Sequence, residues 1–221
     1  MLKINSIAPD FKAKTTIGEI SFHDWLGDSW GVLFSHPKDF TPVCTTELGA
    51  LANLSNEFEK RNVKVIGLSV DSVDDHINWL DDIKDVSGTK PEYPIIADET
   101  LEIAKLYNML EADAGDSSSN RTAMDNQTVR TIFIIRPDKR IGLFTTYPMT
   151  TGRNFFEVLR SIDSMQLTAK HKVATPADWK QGEEVIIVPA VKDEEAKELF
   201  PQGWNTIKPY LRKVSVTDLN N

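Results

Sequence analysis

The sequence predicts an α/β fold: a central mixed sheet flanked by helices, followed by a small C-terminal α+β arm. Three observations carry that expectation. Short β-branched runs alternate with single helical segments, the pattern of a layered α/β domain. Two late runs, residues 128–135 and 141–147, are separated only by Pro137-Asp-Lys-Arg140, so they read as a hairpin and make the sheet mixed. Past about Leu167 the alternation gives way to turns and short elements.

Ala8-Pro-Asp-Phe11 reads as an opening turn and residues 18–22 as part of a small hairpin. Trp30-Gly-Val-Leu-Phe34 is short, apolar and β-branched, a buried strand. Pro37 ends it, because proline cannot donate to a sheet ladder. Leu48, Leu51, Leu54 and Phe58 then recur at helical spacing through to Arg61, and Pro42 suits the first turn of that helix. Residues 63–70 form the next strand. Ser72-x-x-Asp75 is a capping box with a shortened acid, and it opens a helix carrying Val73, Ile77, Leu80 and Ile83 on one face. A strand at 94–97 precedes a helix using Leu101, Ile103, Leu106 and Tyr107. Residues 111–126 are small and polar, a surface loop. After the hairpin, a helix from about Arg153 to Met165 packs through Phe155, Leu159 and Ile162. A thioredoxin-like fold over residues 1–166 is the natural candidate. Residues 167–221 form the arm: a turn at 175–179 anchored by Trp179, a strand at 184–188, and a helix at 193–200 closed by a turn. This arm is too short to bury a core of its own, so it is expected to pack on the first domain or on a second subunit.

Composition narrows the function classes. The 221 residues are 40% hydrophobic and 26% charged, ordinary globular values. A net charge of −8 argues against duplex nucleic acid or an anionic membrane as partner. No apolar run reaches bilayer-spanning length. The start lacks the apolar region of a secretory signal and the arginines of a transit peptide, so a cytoplasmic location is expected. The chain has one cysteine, which excludes an intramolecular disulfide.

That cysteine, Cys44, falls just inside the helix that begins near Thr41. Unpaired backbone N–H groups and the positive end of the helix dipole converge there and favour the reactive thiolate. Thr41 lies three residues earlier and can place its hydroxyl beside the sulfur. The N–H groups of Val43 and Cys44 are unpaired in that first turn and can bind an oxygen of a substrate.

The stretch Ser35-His-Pro-Lys-Asp-Phe-Thr-Pro-Val-Cys-Thr-Thr-Glu47, with its core Pro37-x-x-x-Thr41-x-x-Cys44, resembles the active-site motif of the peroxiredoxins, in their one-cysteine branch. The likeness extends to the tail Val173-Ala-Thr-Pro-Ala-Asp-Trp179. It implies a thiol-specific peroxidase reducing hydrogen peroxide and organic hydroperoxides, phospholipid ones among them. Cys44 is then the peroxidatic thiol, with Thr41, Pro37 and Arg130 around it and His36 beside the sulfur. Arg153, in Thr150-Thr-Gly-Arg-Asn154, matches a further arginine of the family site, and Glu47 is its expected partner. With no second cysteine, the Cys44 sulfenic acid must be reduced by an external thiol of the glutathione or thioredoxin type. The resemblance also implies a homodimer, and nothing calls for a cofactor or a metal.

Gly27-Asp-Ser-Trp-Gly31 matches the nucleophile-elbow pattern, but Ser29 precedes a strand where an elbow needs a strand before it. Mammalian relatives of the one-cysteine branch associate this pentapeptide with calcium-independent phospholipase A2 activity, and the matching partners here are His23 and Asp138. A hydrolase at Ser29 and a non-enzymatic redox sensor or chaperone are the two alternatives.

Overall fold

The fold comes from a computed structural model, described over residues 2–112 and 127–219. The expected polar loop at 111–126 lies almost wholly outside the described residues. The chain forms two compact units, Met1–Phe155 and Phe156–Asn221.

The first unit is built on a seven-stranded mixed sheet. It contains β1 (Lys12–Thr15), β2 (Gly18–Ser21), β3 (Trp30–Ser35), β4 (Val63–Ser69), β5 (Ile95–Ala97), β6 (Arg130–Ile135) and β7 (Ile141–Tyr147). Their order across the sheet is β2-β1-β5-β4-β3-β6-β7. Strands β3, β4 and β5 run parallel, while β6 is antiparallel to β3, with Phe34 opposite Ile132. Every residue of β3 and β6 is buried, which is why both read as unbroken apolar runs rather than alternating ones. One buried cluster joins Leu33, Ile66, Leu68, Ile96, Phe133 and Tyr107.

The connections place the helices α1 (Phe22–Leu26), α2 (Pro42–Asn53), α3 (Ser55–Glu59), α4 (Val73–Ser87) and α5 (Glu102–Leu106). The single helix expected from Thr41 to Arg61 is two, broken at Leu54, whose N–H turns back to the Leu51 carbonyl at 3.0 Å. Helices α2 and α4 meet at Gly49. A Cβ there would lie 2.4 Å from Ser87 Cβ, so only glycine permits this approach.

Helix α4 opens with the expected capping box, Asp75 N–H donating to Ser72 Oγ at 3.1 Å. Its inward face differs from the expected one. His76, Trp79 and Ile83 are buried, and Ile77 is 45% exposed. Counting apolar residues alone misplaced the stripe, because a histidine with hydrogen-bond partners occupies a core-facing position. Leu106 is likewise exposed at 43%, while Tyr107 is buried with its hydroxyl donating to the Pro9 carbonyl at 2.6 Å.

Helix α6 spans Phe155–Lys170, so the boundary expected at 166–167 falls inside it. The second unit continues with β8 (Val173–Ala174), β9 (Val185–Ile187), α7 (Asp193–Leu199), β10 (Asn205–Lys208) and β11 (Leu211–Val214), closed by a 3-10 turn at Val216–Leu219. Its four strands form an antiparallel sheet in the order β10-β11-β9-β8. Contrary to the expectation that the arm has no core, Trp179, Val185, Ile187, Val191, Phe200 and Val214 form a buried cluster. Two large rings in a short segment supply that core. The Trp179 indole N–H is satisfied by the Glu183 carbonyl at 3.1 Å.

Candidate active site

Cys44 is fully buried in the first turn of α2, two residues after Pro42. The first intrahelical bond runs from Thr45 N–H to the Thr41 carbonyl at 3.0 Å, so the N–H groups of Val43 and Cys44 have no acceptor in the helix. Thr41 is the N-cap residue in extended conformation (φ −119°, ψ 148°). An N-cap side chain in that conformation commonly accepts from an N–H of the first turn, and here it forms no such bond. Its hydroxyl donates instead to the Lys38 carbonyl at 2.8 Å, leaving its lone pairs as acceptors. Pro37 lies between β3 and this turn. A cleft of about 740 Å³, lined by Lys38, Asp39, Phe40, Thr41, Asp71 and Ser72 among others, opens beside the helix start.

Arg130, the first residue of β6, is buried and reaches the sulfur: its Nη1 lies 3.4 Å from Cys44 Sγ. The same nitrogen donates to Glu47 Oε2 at 2.6 Å, and Nε donates to the Met149 carbonyl at 2.7 Å. Arg153 sits in the loop before α6 and holds both oxygens of Glu47, from Nε at 2.8 Å and Nη2 at 2.7 Å. Its Nη1 donates to the carbonyls of Ser35 (2.9 Å) and Thr131 (3.1 Å), and its guanidinium lies 5.3 Å from the Phe34 ring. Burial alone pushes the Glu47 carboxyl upward, but the Arg153 bonds and the charges of Arg153 and Arg130 outweigh it and hold it below the usual range. Two buried guanidinium groups thus face one carboxylate. A thiolate at Cys44 brings the second negative charge that balances them.

His36 is fully buried just past β3. Its Nε2 lies 2.7 Å from Asp39 Oδ1, and its Nδ1 has no partner among the described residues. The other oxygen, Asp39 Oδ2, lies 2.6 Å from His76 Nδ1, and His76 Nε2 faces the Ile96 carbonyl at 3.1 Å. The sequence reading did not single out Asp39 or His76. Their signal was slight: an Asp within the motif, and a polar residue among the apolar positions of α4. His36, Asp39 and His76 are, among the described residues, the His/Cys/Asp/Glu group compact enough to hold a metal ion. Their 2.6–2.7 Å nitrogen–oxygen spacings are those of hydrogen bonds. Two ligands of one tetrahedral zinc at about 2.0–2.1 Å stand roughly 3.3 Å apart.

The three residues of the alternative hydrolase reading are each engaged elsewhere. Ser29 Oγ donates to Asn62 Oδ1 at 2.9 Å, His23 Nε2 lies 2.9 Å from the Ala8 carbonyl, and Asp138 pairs with Arg136 at 3.2 Å. No hydrogen bond among the described residues links any two of them.

Residues 4–143 match the model of the AhpC/TSA family, and residues 164–203 match the C-terminal domain of 1-Cys peroxiredoxin. The chain is 55% identical over 220 residues to peroxiredoxin-6 of Gallus gallus, covering 96% of each. It is 53% identical over 211 residues to a 1-Cys peroxiredoxin of Dictyostelium discoideum, covering 96% of this chain and 84% of that one. Among solved structures, a yeast mitochondrial 1-Cys peroxiredoxin superposes with a TM-score of 0.87 at 51% identity. It covers 97% of this chain and 100% of that one, and was described for thiol resolving via glutathione/thioredoxin systems.

Proposed function

Because the chain belongs to the AhpC/TSA family, in its 1-Cys peroxiredoxin branch, it is a thiol-dependent peroxidase, and we propose how its buried site carries the cycle. The observation that carries the proposal is the Arg130 guanidinium 3.4 Å from Cys44 Sγ at the start of α2. The thiolate attacks the terminal oxygen of a hydroperoxide. An S–O bond forms, the O–O bond breaks, and the departing alkoxide or hydroxide takes up a proton. Arg130 and the N–H groups of Val43 and Cys44 are the donors that stabilise charge on the oxygens. The Thr41 oxygen accepts from the peroxide hydroxyl. Glu47 and Arg153 keep Arg130 in place, Pro37 shapes the turn, and His36 borders the sulfur.

The chain has no second cysteine, so an external thiol reduces the sulfenic acid through a mixed disulfide. By analogy with the yeast relative, the reductant is glutathione or a thioredoxin-type dithiol. Strand β7 supports the homodimer, since it lies at an open edge of the sheet with Phe144 40% exposed. No described helix is long and apolar enough to cross a membrane. A cytoplasmic setting, where thiols are kept reduced, completes the proposal, and fractionation against compartment markers checks it.

Peroxide consumption measured side by side with glutathione and with a thioredoxin system tests the cycle. Turnover with at least one is expected, and turnover with neither refutes thiol resolution. Ester hydrolysis that disappears in Ser29→Ala and survives in Cys44→Ser would establish the hydrolase reading.

A further inference from the structure

We propose that Asp39 and His76 are positioning residues for the peroxidase reaction, holding His36 as the neutral imidazole with its hydrogen on Nε2 and a free lone pair on Nδ1. The proposal rests on the peroxidase reading above and goes beyond it in naming how the histidine is set.

The hydrogen-bond inventory assigns the protons. Asp39 is ionised, because the bonds from His36 and His76 outweigh the upward push of burial and hold its carboxyl at about 2. Each of its oxygens therefore accepts, so His36 Nε2 and His76 Nδ1 both donate. His76 Nε2 faces a carbonyl, which also only accepts. Both nitrogens of His76 thus carry hydrogen, and the ring is an imidazolium that neutralises Asp39. His36 has spent its Nε2 hydrogen on Asp39, and its Nδ1 is buried without a partner among the described residues. A lone pair is the cheaper group to leave there. A second cation would bury an N–H with no acceptor beside a carboxylate already matched in charge.

The sheet places this lone pair near the chemistry. The antiparallel β3–β6 register ends with Phe34 opposite Ile132; Thr131 N–H then bonds Ser35 Oγ and Thr128 Oγ1 bonds the His36 carbonyl, so the same register continued by two places brings His36 level with Arg130. Opposed residues share a face with Cβ atoms about 4.5–5.5 Å apart. Arg130 is the residue that reaches the sulfur. Of the titratable groups, Asp39 before α2 bonds the ring, His76 on α4 lies with its ring centroid 6.2 Å away, and Asp71 after β4 accepts from the Asp39 N–H at 2.9 Å, while Cys44 and Glu47 belong to α2 and Arg130 to β6.

With hydrogen peroxide, which carries one hydrogen beyond the one Thr41 accepts, the Nδ1 lone pair accepts that second hydrogen, and it then accepts the hydroxyl hydrogen of the Cys44 sulfenic acid. When the external thiol attacks, its proton passes to Nδ1 as the S–S bond forms. The same proton leaves with the hydroxyl released from the breaking S–O bond, as water. Peroxide and thiol are the only redox partners the step needs.

Nitrogen-15 NMR of the reduced, histidine-labelled full chain tests the proton assignment without relying on activity. The chain has four histidines, so single-site variants suffice to assign the signals. At neutral pH His36 is expected to show one protonated and one lone-pair nitrogen, and His76 two protonated nitrogens. A protonated Nδ1 on His36, or a lone-pair nitrogen on His76, overturns the proposal.

Stopped-flow oxidation of Cys44 by hydrogen peroxide across pH tests the consequence. Asp39→Asn is expected to slow oxidation about 10²-fold, the low end of what an oriented acid–base group contributes. His76→Asn keeps a donor to Asp39 but removes the cation, so the uncompensated carboxylate favours a protonated His36. The acid limb of the rate profile then moves up by about one pH unit or more. Folded variants with wild-type rates and profiles also overturn the proposal. If the wild type turned over no peroxide, the peroxidase reading would fail while the NMR result still decided this one.

Discussion

Glu47 accepts from Arg130 and from Arg153, but the two arginines differ in what else they hold. Arg153 spends its remaining donors on the carbonyls of Ser35 and Thr131, so it ties β3 and β6 to the helix. Of the two, Arg130 is the one within hydrogen-bond reach of the sulfur. Arg130→Lys is therefore expected to keep the charge and lose the fork that spans sulfur, Glu47 and the Met149 carbonyl. Stopped-flow kinetics of Cys44 oxidation should show a loss on the order of 10²–10³, the usual cost of one preorganised donor. A rate within a factor of two or so of wild type would contradict the donor role. Glu47→Gln has a different signature. It leaves two buried guanidinium groups without their anion, so urea unfolding should show a loss of about 3 kcal/mol. Cys44→Ser should abolish turnover and leave the fold intact, because serine is nearly isosteric but offers no accessible anion. Thr41→Val removes the bond to the Lys38 carbonyl, so it tests the shape of the turn as well as the chemistry.

Helix α5 is held at its start by a carboxylate from outside the helix. Asp98 is 3% exposed and accepts from the N–H groups of Ile103 (3.1 Å) and Ala104 (2.6 Å). Burial raises its carboxyl to about 6 despite those bonds. Since the folded value lies above the unfolded one of about 3.9, the contribution to stability is fully present below pH ~4 and is lost as pH rises through ~6. Asp98→Asn should flatten that part of the stability–pH curve, a difference of about 2 kcal/mol in chemical denaturation at pH 4 and pH 7. An unchanged slope would mean that Asp98 ionises as freely folded as unfolded. Elements of this kind show what the sequence disclosed. The strands β3 and β6 were legible because burial on both faces writes them as largely apolar runs, and β4 was legible from its β-branched residues despite the exposed Lys64. The start of α2 was legible from Pro42, and that of α4 from Ser72 and Asp75. The inward face of α4 was not, because His76 counts as polar in any periodicity and becomes a core residue only once Asp39 is beside it. The Asp39 link spans 37 positions along the chain, and no local pattern encodes such a pairing. Arg130 and Arg153 were found through family likeness, since spacing alone cannot tell a buried guanidinium from a surface one.

At the scale of the whole molecule, the seven-stranded sheet ends in two strands of different character. Strand β2 is short and closes a hairpin with β1, whereas β7 runs seven residues, Ile141–Tyr147, and among the described residues its outer ladder is taken up only at Ile141, which bonds Asn5 and Ser6. A long open edge is a template for pairing with another chain. Phe144 adds an apolar side chain at 40% exposure to that edge, stacked on Phe133 at 5.5 Å. A second copy of β7 across a two-fold axis would satisfy the free ladder and extend the sheet through both subunits. The net charge of −8 on each copy opposes association at long range, so the pairing should tighten as salt screens that repulsion. Light scattering coupled to size exclusion is expected to give twice 24.9 kDa, with the dimer persisting or strengthening from low to moderate salt. Thr146→Pro removes an outward-facing ladder donor and should shift the population toward monomer. A wild-type mass of a single chain at every salt concentration would show that the edge stays unpaired. A dimer unaffected by the proline would place the contact on another surface.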